Sequence, residues 1–384
     1  GATTQAFSRK RTPIYAAAAG ARAEPEDLAV LDVVAPPFAV KGRDVTIRAR
    51  LKTAVAEGEK IRLQILKQGK PVAKKEIVAV GTPETRVDLV FKPADLGMFR
   101  YQVKLASVPG EAFPLKNNTA DFAMEVREEK IKVLFVDWKP RWESRFVLNI
   151  LRRLSYVELN PIIVVAQDNA QLQRGIERGS WPENLAALEM YDLVILGDLP
   201  QDLLTAQEQE DLKTLVTEKG RTLCCIGNGR RLPAAAGELL PATAGDRQPI
   251  VLNDIEDLVF TAAGQIHPMT SRMAAGSANI NPVAAPEDRL RSQAVALALD
   301  GNGRPVLSTR FVGKGKTMLI DTEELWRVLN PTMLESHTWL YINLVSWAVQ
   351  AGKAESEEFT LSAILRSGEV TAPFQIWADR KSVV

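Results

Sequence analysis

Two carboxylates, two indoles and two guanidinium groups crowd into Asp137-Trp138-Lys139-Pro140-Arg141-Trp142-Glu143-Ser144-Arg145. That mixture can hold a ligand by ring stacking and ion pairing, and paired carboxylates can also exchange protons with a substrate. The cluster follows directly on the apolar run from Ile131 to Val136. A run of this kind reads as a buried parallel strand, and open α/β sheets place their ligands at the carboxyl ends of such strands. Asp198 and the doublet Glu323-Glu324 also follow apolar runs and could face the same edge as Asp137, although spacing by itself does not show that they converge. A second stretch, Cys224-Cys225-Ile226-Gly227-Asn228-Gly229-Arg230, offers two chemistries. Cys225 is a candidate nucleophile with His267 as its base, and Gly227-Asn228-Gly229-Arg230 is a candidate anion cradle at a helix start.

Each of these signals has a plainer reading. Vicinal cysteines inside an apolar strand behave as small hydrophobes, and adjacent cysteines rarely close a disulfide. His267 precedes a proline and suits a structural turn, while His337 has helical spacing with Tyr341, Leu344 and Ala348 and suits a core position. The glycine run lacks the Lys-Ser/Thr ending of a phosphate loop. Glu143 is an acid placed favourably in a first helical turn. Trp138 and Trp142, however, need a cover or a partner if they sit in an exposed loop.

The elements that must carry these residues follow from length and pattern. At 384 residues the chain is long enough for two or three domains. Its 48 basic and 47 acidic residues balance, which argues against a global field drawing in nucleic acid or an anionic membrane. Two cysteines and two histidines give no zinc-site spacing, so neither a metal nor another cofactor is expected. No apolar stretch is long enough to span a bilayer, and no signal peptide is visible.

Over 25–128 apolar residues alternate with polar ones, as in Val45, Ile47, Ala49 and Leu51 and again in Ile61, Leu63 and Ile65. About seven such runs, separated by turn signals, predict an immunoglobulin-like β-sandwich. Over 130–352 strand-like runs alternate with helical ones, which predicts a mostly parallel sheet with helices on both faces. Thr205 with Glu208, and Thr332 with Glu335, form capping-box patterns. Residues 353–384 read as a hairpin or the start of a further domain.

The block Lys132 to Phe146, the later His267-Pro268-Met269, and the stretch from Gly313 to Trp326 with Trp339 and Trp347 together resemble one known family. It is the class I glutamine amidotransferase-like domain of large bacterial membrane-associated proteins, which also contain a von Willebrand factor A-type domain. An immunoglobulin-like segment ending in Asn-Asn precedes that domain, similar to Asn117-Asn118, and Pro13-Ile14-Tyr15 resembles the last strand of the upstream domain, which implies that residues 1–24 are a remnant of that domain or a linker. The resemblance implies a flavodoxin-like sheet, membrane anchoring through segments outside these residues, and an extracytoplasmic place at the bacterial cell envelope, with a cytoplasmic place as the alternative. It also implies protein partners, among them an ATPase.

Active members of the family present a cysteine on a Gly-x-Cys-x-Gly elbow. Here Leu223 stands at the upstream glycine position of Cys225, and Met269 replaces the acid of the family's His-Pro-Glu. The expectation is therefore a non-catalytic scaffold or binding module. Its working edge would comprise Asp137, Trp138, Arg141, Trp142, Glu143, Asp198, Gly227, Asn228, Gly229, Arg230 and Glu323. The alternatives are glutamine hydrolysis by Cys225 with His267, and binding of a carbohydrate or other small molecule on the tryptophans.

Overall fold

A computed structural model describes residues 26–108, 117–138, 141–164, 181–227, 232–242, 250–252, 257–275, 290–328 and 334–350. The segments 1–24 and 353–384 lie outside the described residues. The described residues fold as two units, the first formed by 26–36 with 42–125, the second by 37–41 with 126–350.

Eight strands come first: β1 (Asp27–Val34), β2 (Phe38–Val40), β3 (Val45–Ala54), β4 (Lys60–Lys67), β5 (Lys70–Val78), β6 (Glu84–Phe91), β7 (Gly97–Leu105) and β8 (Thr119–Arg127). They form a three-stranded sheet, β1-β3-β6, and a five-stranded sheet, β2-β8-β7-β4-β5. The period-2 alternation is what buries them: Val45, Ile47, Ala49 and Leu51 are inside, and the residues between them face water. Gln68 and Gly69 both take positive φ, 49° and 78°, the geometry that a two-residue hairpin between twisted strands demands. Neighbouring carbonyls of Asn117 and Asn118 accept from the amides of Val30 on β1 and Leu105 on β7, each at 2.8 Å, which ties one sheet to the other.

The second set is β9 (Ile131–Trp138), α1 (Trp142–Arg152), β10 (Val157–Val164), α2 (Leu185–Leu188), β11 (Leu193–Leu196), α3 (Ala206–Thr217), β12 (Thr222–Ile226) and α4 (Ala234–Leu239). Then come β13 (Val259–Phe260), α5 (Ala262–Ile266), α6 (Ser271–Ala275), β14 (Ala294–Leu299), β15 (Pro305–Val312), β16 (Gly315–Ile320), a 3-10 helix (Leu325–Val328) and α7 (Leu334–Gln350). The sheet order is β10-β9-β11-β12-β16-β15-β14-β13.

Both faces of this sheet are dry. Val133 and Phe135 of β9 join Val147, Leu148 and Leu151 of α1 and Leu340, Leu344 and Val345 of α7 on one face. Leu134 and Val136 join Leu212, Leu215 and Val216 of α3 on the other. Adjacent residues of β12 divide in the same way, Cys224 to the first cluster and Cys225 to the second. Helix α3 starts on a complete capping box, Thr205 with Glu208, and Gly220 just beyond it has φ 71°. Among the described residues no helix is long and apolar enough to cross a membrane.

The expectation of a flavodoxin-like, mostly parallel sheet is corrected by this arrangement. Strands β10, β9, β11, β12 and β16 run parallel, but β15, β14 and β13 pair antiparallel, and the pairs β1–β3, β3–β6, β4–β5 and β4–β7 are antiparallel too. The molecule combines a mixed sheet with β-sandwich-like sheets. The cause is local: Val312 pairs with Gly315 across Gly313-Lys314, and a two-residue turn can join only antiparallel strands. Gly313 has φ 58°, and a Cβ there would lie 2.3 Å from the Thr217 carbonyl oxygen, so glycine is required on both counts.

Candidate functional site

The carboxyl ends of β9, β11 and β12 meet at Asp137, whose carboxylate is fully buried. Charge in such a place must be compensated, and here it is compensated many times over. Arg141 donates Nε–H to Oδ2 at 3.0 Å and Nη2–H to Oδ1 and Oδ2 at 3.0 and 2.9 Å. The Ser144 hydroxyl donates to Oδ2, and the amides of Trp138 and Asp198 donate to Oδ1 at 2.8 and 3.2 Å. Arg141 also donates to the Ile226 carbonyl at 3.1 Å, and its Nη1 lies 3.2 Å from Glu323 Oε1. Burial pushes the Asp137 carboxyl above its ordinary value against the pull of Arg141, Ser144 and the Trp138 amide. For Arg141 burial acts the other way, yet Asp137, Glu323 and Asp198 together hold the guanidinium above its usual range.

Two glycines make room for this network. A Cβ on Gly197 would lie 2.0 Å from Asp137 Oδ1 and 2.6 Å from Arg141 Nη2. Gly227 turns the chain at φ 143° beside Arg141 Nη1, which would stand 3.4 Å from a Cβ there.

Glu143 is the second buried carboxylate. Its Oε2 accepts the Trp326 amide at 2.9 Å and its Oε1 accepts the Tyr341 hydroxyl at 2.6 Å, so it links α1 to the 3-10 helix and to α7. Burial, with Glu143 adding to it, holds the Tyr341 phenol well above its ordinary value. Outside this network the indoles form a ladder. Trp142, 58% exposed, lies 5.8 Å from the Trp326 ring, and Phe146 stacks nearly parallel to Trp326 at 6.4 Å. The Arg145 guanidinium sits 5.4 Å from the Trp142 ring and that of Arg327 5.1 Å from Trp326. Trp138 is half-buried instead, packed against the core cluster of β11 and α3.

Asp137, Arg141, Asp198, Gly227 and Glu323 are thus brought together, with Glu143 and Trp142 beside them. Asn228, Gly229 and Arg230 lie outside the described residues. Sequence reasoning missed Ser144, Gly197, Trp326 and Tyr341 as parts of the constellation. The signal for Ser144 was its place one turn into α1, seven residues after Asp137; Tyr341 and Trp326 had none, being 198 and 183 residues from Glu143.

Cys225 and His267 are not brought together. Cys225 sits within β12, paired with Leu196 and Leu319, and both thiols are buried. Burial pushes the Cys224 and Cys225 thiols upward, away from the thiolate. His267 caps the end of α5, accepts the Met269 amide at Nδ1 (3.3 Å) and sets its ring against Trp347 at 6.0 Å. Trp347 belongs to the core cluster that holds Cys224, so the His267 ring and Cys225 lie on opposite faces of the sheet. Burial, with Lys316 adding to it, lowers His267 to about 4. Helix α7 carries His337, whose side chain lies outside the described residues.

No family model matches the chain, and no curated protein matches it. Solved structures do. A CARDB domain from Pyrococcus furiosus, crystallised with di-metal ions, is 16% identical over 28% of this chain and 97% of its own, with a TM-score of 0.24. An exo-β-1,4-mannosidase from Opitutaceae bacterium strain TAV5 is 15% identical over 56% of this chain and 35% of its own, with a TM-score of 0.28. A β-glucuronidase from Bifidobacterium dentium is 13% identical over 52% and 44%, with a TM-score of 0.20. At such low overlap none of them speaks to this chain's activity.

Nothing in these comparisons indicates a class I glutamine amidotransferase-like domain, and that resemblance is corrected. The geometry gives the physical reason: the cysteine that would be the nucleophile is an interior strand residue, and among the described residues no imidazole lies beside it.

Proposed function

We propose that the chain is a binding module that engages a protein partner through the carboxyl edge of its mixed sheet, with Trp142, Arg145 and Trp326 as the contact surface. One observation carries this reading: Asp137 and Arg141, at the centre of the crevice, are committed to each other, while an indole beside them is left 58% exposed. A buried carboxylate with a bidentate arginine, a hydroxyl and two amides has no spare lone pair with which to take a substrate proton. Exposed tryptophan flanked by arginine is the composition of interface hot spots. The envelope location and the ATPase partner were implied by the resemblance alone, so the proposal does not include them.

A photo-crosslinking amino acid placed at Trp142 in the full chain, in the source organism, tests it. A discrete protein adduct is expected, lost on Arg145→Glu and absent when the probe replaces Val80, another exposed residue, 62% accessible. Identical adducts from both positions would end the proposal. A carbohydrate reading has one observation in its favour, the tilted Trp142–Trp326 ring pair, since sugar faces stack on indoles. Saturable quenching of tryptophan fluorescence by oligosaccharides, abolished by Trp142→Ala, would favour it over a protein partner.

A further inference from the structure

Arg291 and Arg310 stand outside the crevice. Arg310 lies on β15, and its Nε–H and Nη1–H donate to the carbonyls of Ser292 at 3.1 Å and Glu238 at 3.3 Å. Arg291 follows the bridge between Leu290 and Ala242, and its Nη2–H donates to the Gly237 carbonyl at 3.2 Å. Consecutive carbonyls at the end of α4 therefore hold two guanidinium groups side by side. Among the described residues neither arginine pairs with a carboxylate. Glu238, whose carbonyl anchors Arg310, sends its own carboxylate to Lys213 at 3.9 Å.

Like charges at this spacing repel, and a guanidinium cannot escape by losing its proton. The repulsion registers on Arg310, which burial and then Arg291 push below its ordinary value. Capping of α4 explains the carbonyl contacts but not the pairing, because Thr317 Oγ already donates to the Leu239 carbonyl at 2.9 Å. Among the described residues the buried Nε–H of Arg291 also has no acceptor. An oxyanion lowers the repulsion, and its oxygens accept from both planar forks.

We propose that Arg291 and Arg310 form an anion site that takes a phosphate group. The ligand is either free phosphate or the end of a small phosphate monoester. The site is independent of the carboxyl-edge surface and stands whether or not that surface binds a protein.

Titration of the wild-type full chain with sodium phosphate, against sodium chloride at matched ionic strength, tests the proposal by calorimetry and by arginine side-chain NMR signals. Saturable binding that shifts the Arg291 and Arg310 signals is expected. Arg291→Gln and Arg310→Gln should each weaken it by about tenfold or more, the range for losing a charge-assisted hydrogen bond, while Lys213→Gln leaves it unchanged. Stronger binding of glycerol phosphate than of inorganic phosphate would identify a monoester, and the reverse would identify free phosphate. A response no different from chloride in the wild type overturns the proposal even if the variants fail to fold. Equal weakening by Lys213→Gln overturns it too, because surface charge alone would then account for the effect.

Discussion

Asp137 and Arg141 are each tolerable inside the protein only because the other is there. Removing one partner of a buried pair leaves the survivor uncompensated, so Arg141→Met should cost about 3 to 5 kcal/mol, read from urea unfolding. Arg141→Lys should recover little of this, since an ammonium cannot bridge both carboxylate oxygens and the Ile226 carbonyl together. His267 supplies a pH dependence. Its value of about 4 lies below the ordinary 6.5, so the native state resists the proton that the unfolded chain accepts. The associated stability is complete above pH 6.5 and drains away as pH falls towards 4, by up to about 3 kcal/mol. Unfolding free energies across that window should fall more steeply for wild type than for His267→Gln, and parallel curves would refute the assignment.

At the level of elements, the hairpin between β15 and β16 depends on Gly313. Alanine there needs an unfavourable φ and collides with the Thr217 carbonyl, so Gly313→Ala should lower stability by about 2 kcal/mol or more in a thermal melt. Tyr341→Phe should cost about 1.5 to 3 kcal/mol by taking a hydrogen bond from the buried Glu143 carboxylate, with the largest loss of amide protection in α7. Which elements were legible beforehand follows the same physics. The run Ile131 to Val136 announces a strand because both of its faces are buried, and Thr205 with Glu208 announces α3 because capping is a local interaction. Strand β10 is hard to read from the sequence because Pro161 looks like a breaker, whereas an edge strand tolerates a missing N–H. Strands β13 and β14 leave little trace in the sequence, since two residues carry no period and Ala294 to Leu299 is apolar without alternation. The acidic cluster at the carboxyl edge could be read in outline from positions after apolar runs. Its partners could not, because convergence over nearly two hundred residues leaves no mark on spacing.

For the molecule as a whole, the two thiols report on integrity. They occupy opposite faces of β12, each under a different layer of helices. A thiol reagent should leave the native chain unmodified and label both cysteines within the main unfolding transition, as followed by mass; rapid labelling of either in native buffer would contradict the burial described above. The lateral borders of the eight-stranded sheet have a consequence of their own. One border is β13, two residues long, and the other is β10, interrupted by Pro161. Neither offers a foreign strand a continuous row of donors and acceptors to zip onto, so this half of the protein is guarded against polymerising side by side with its own copies.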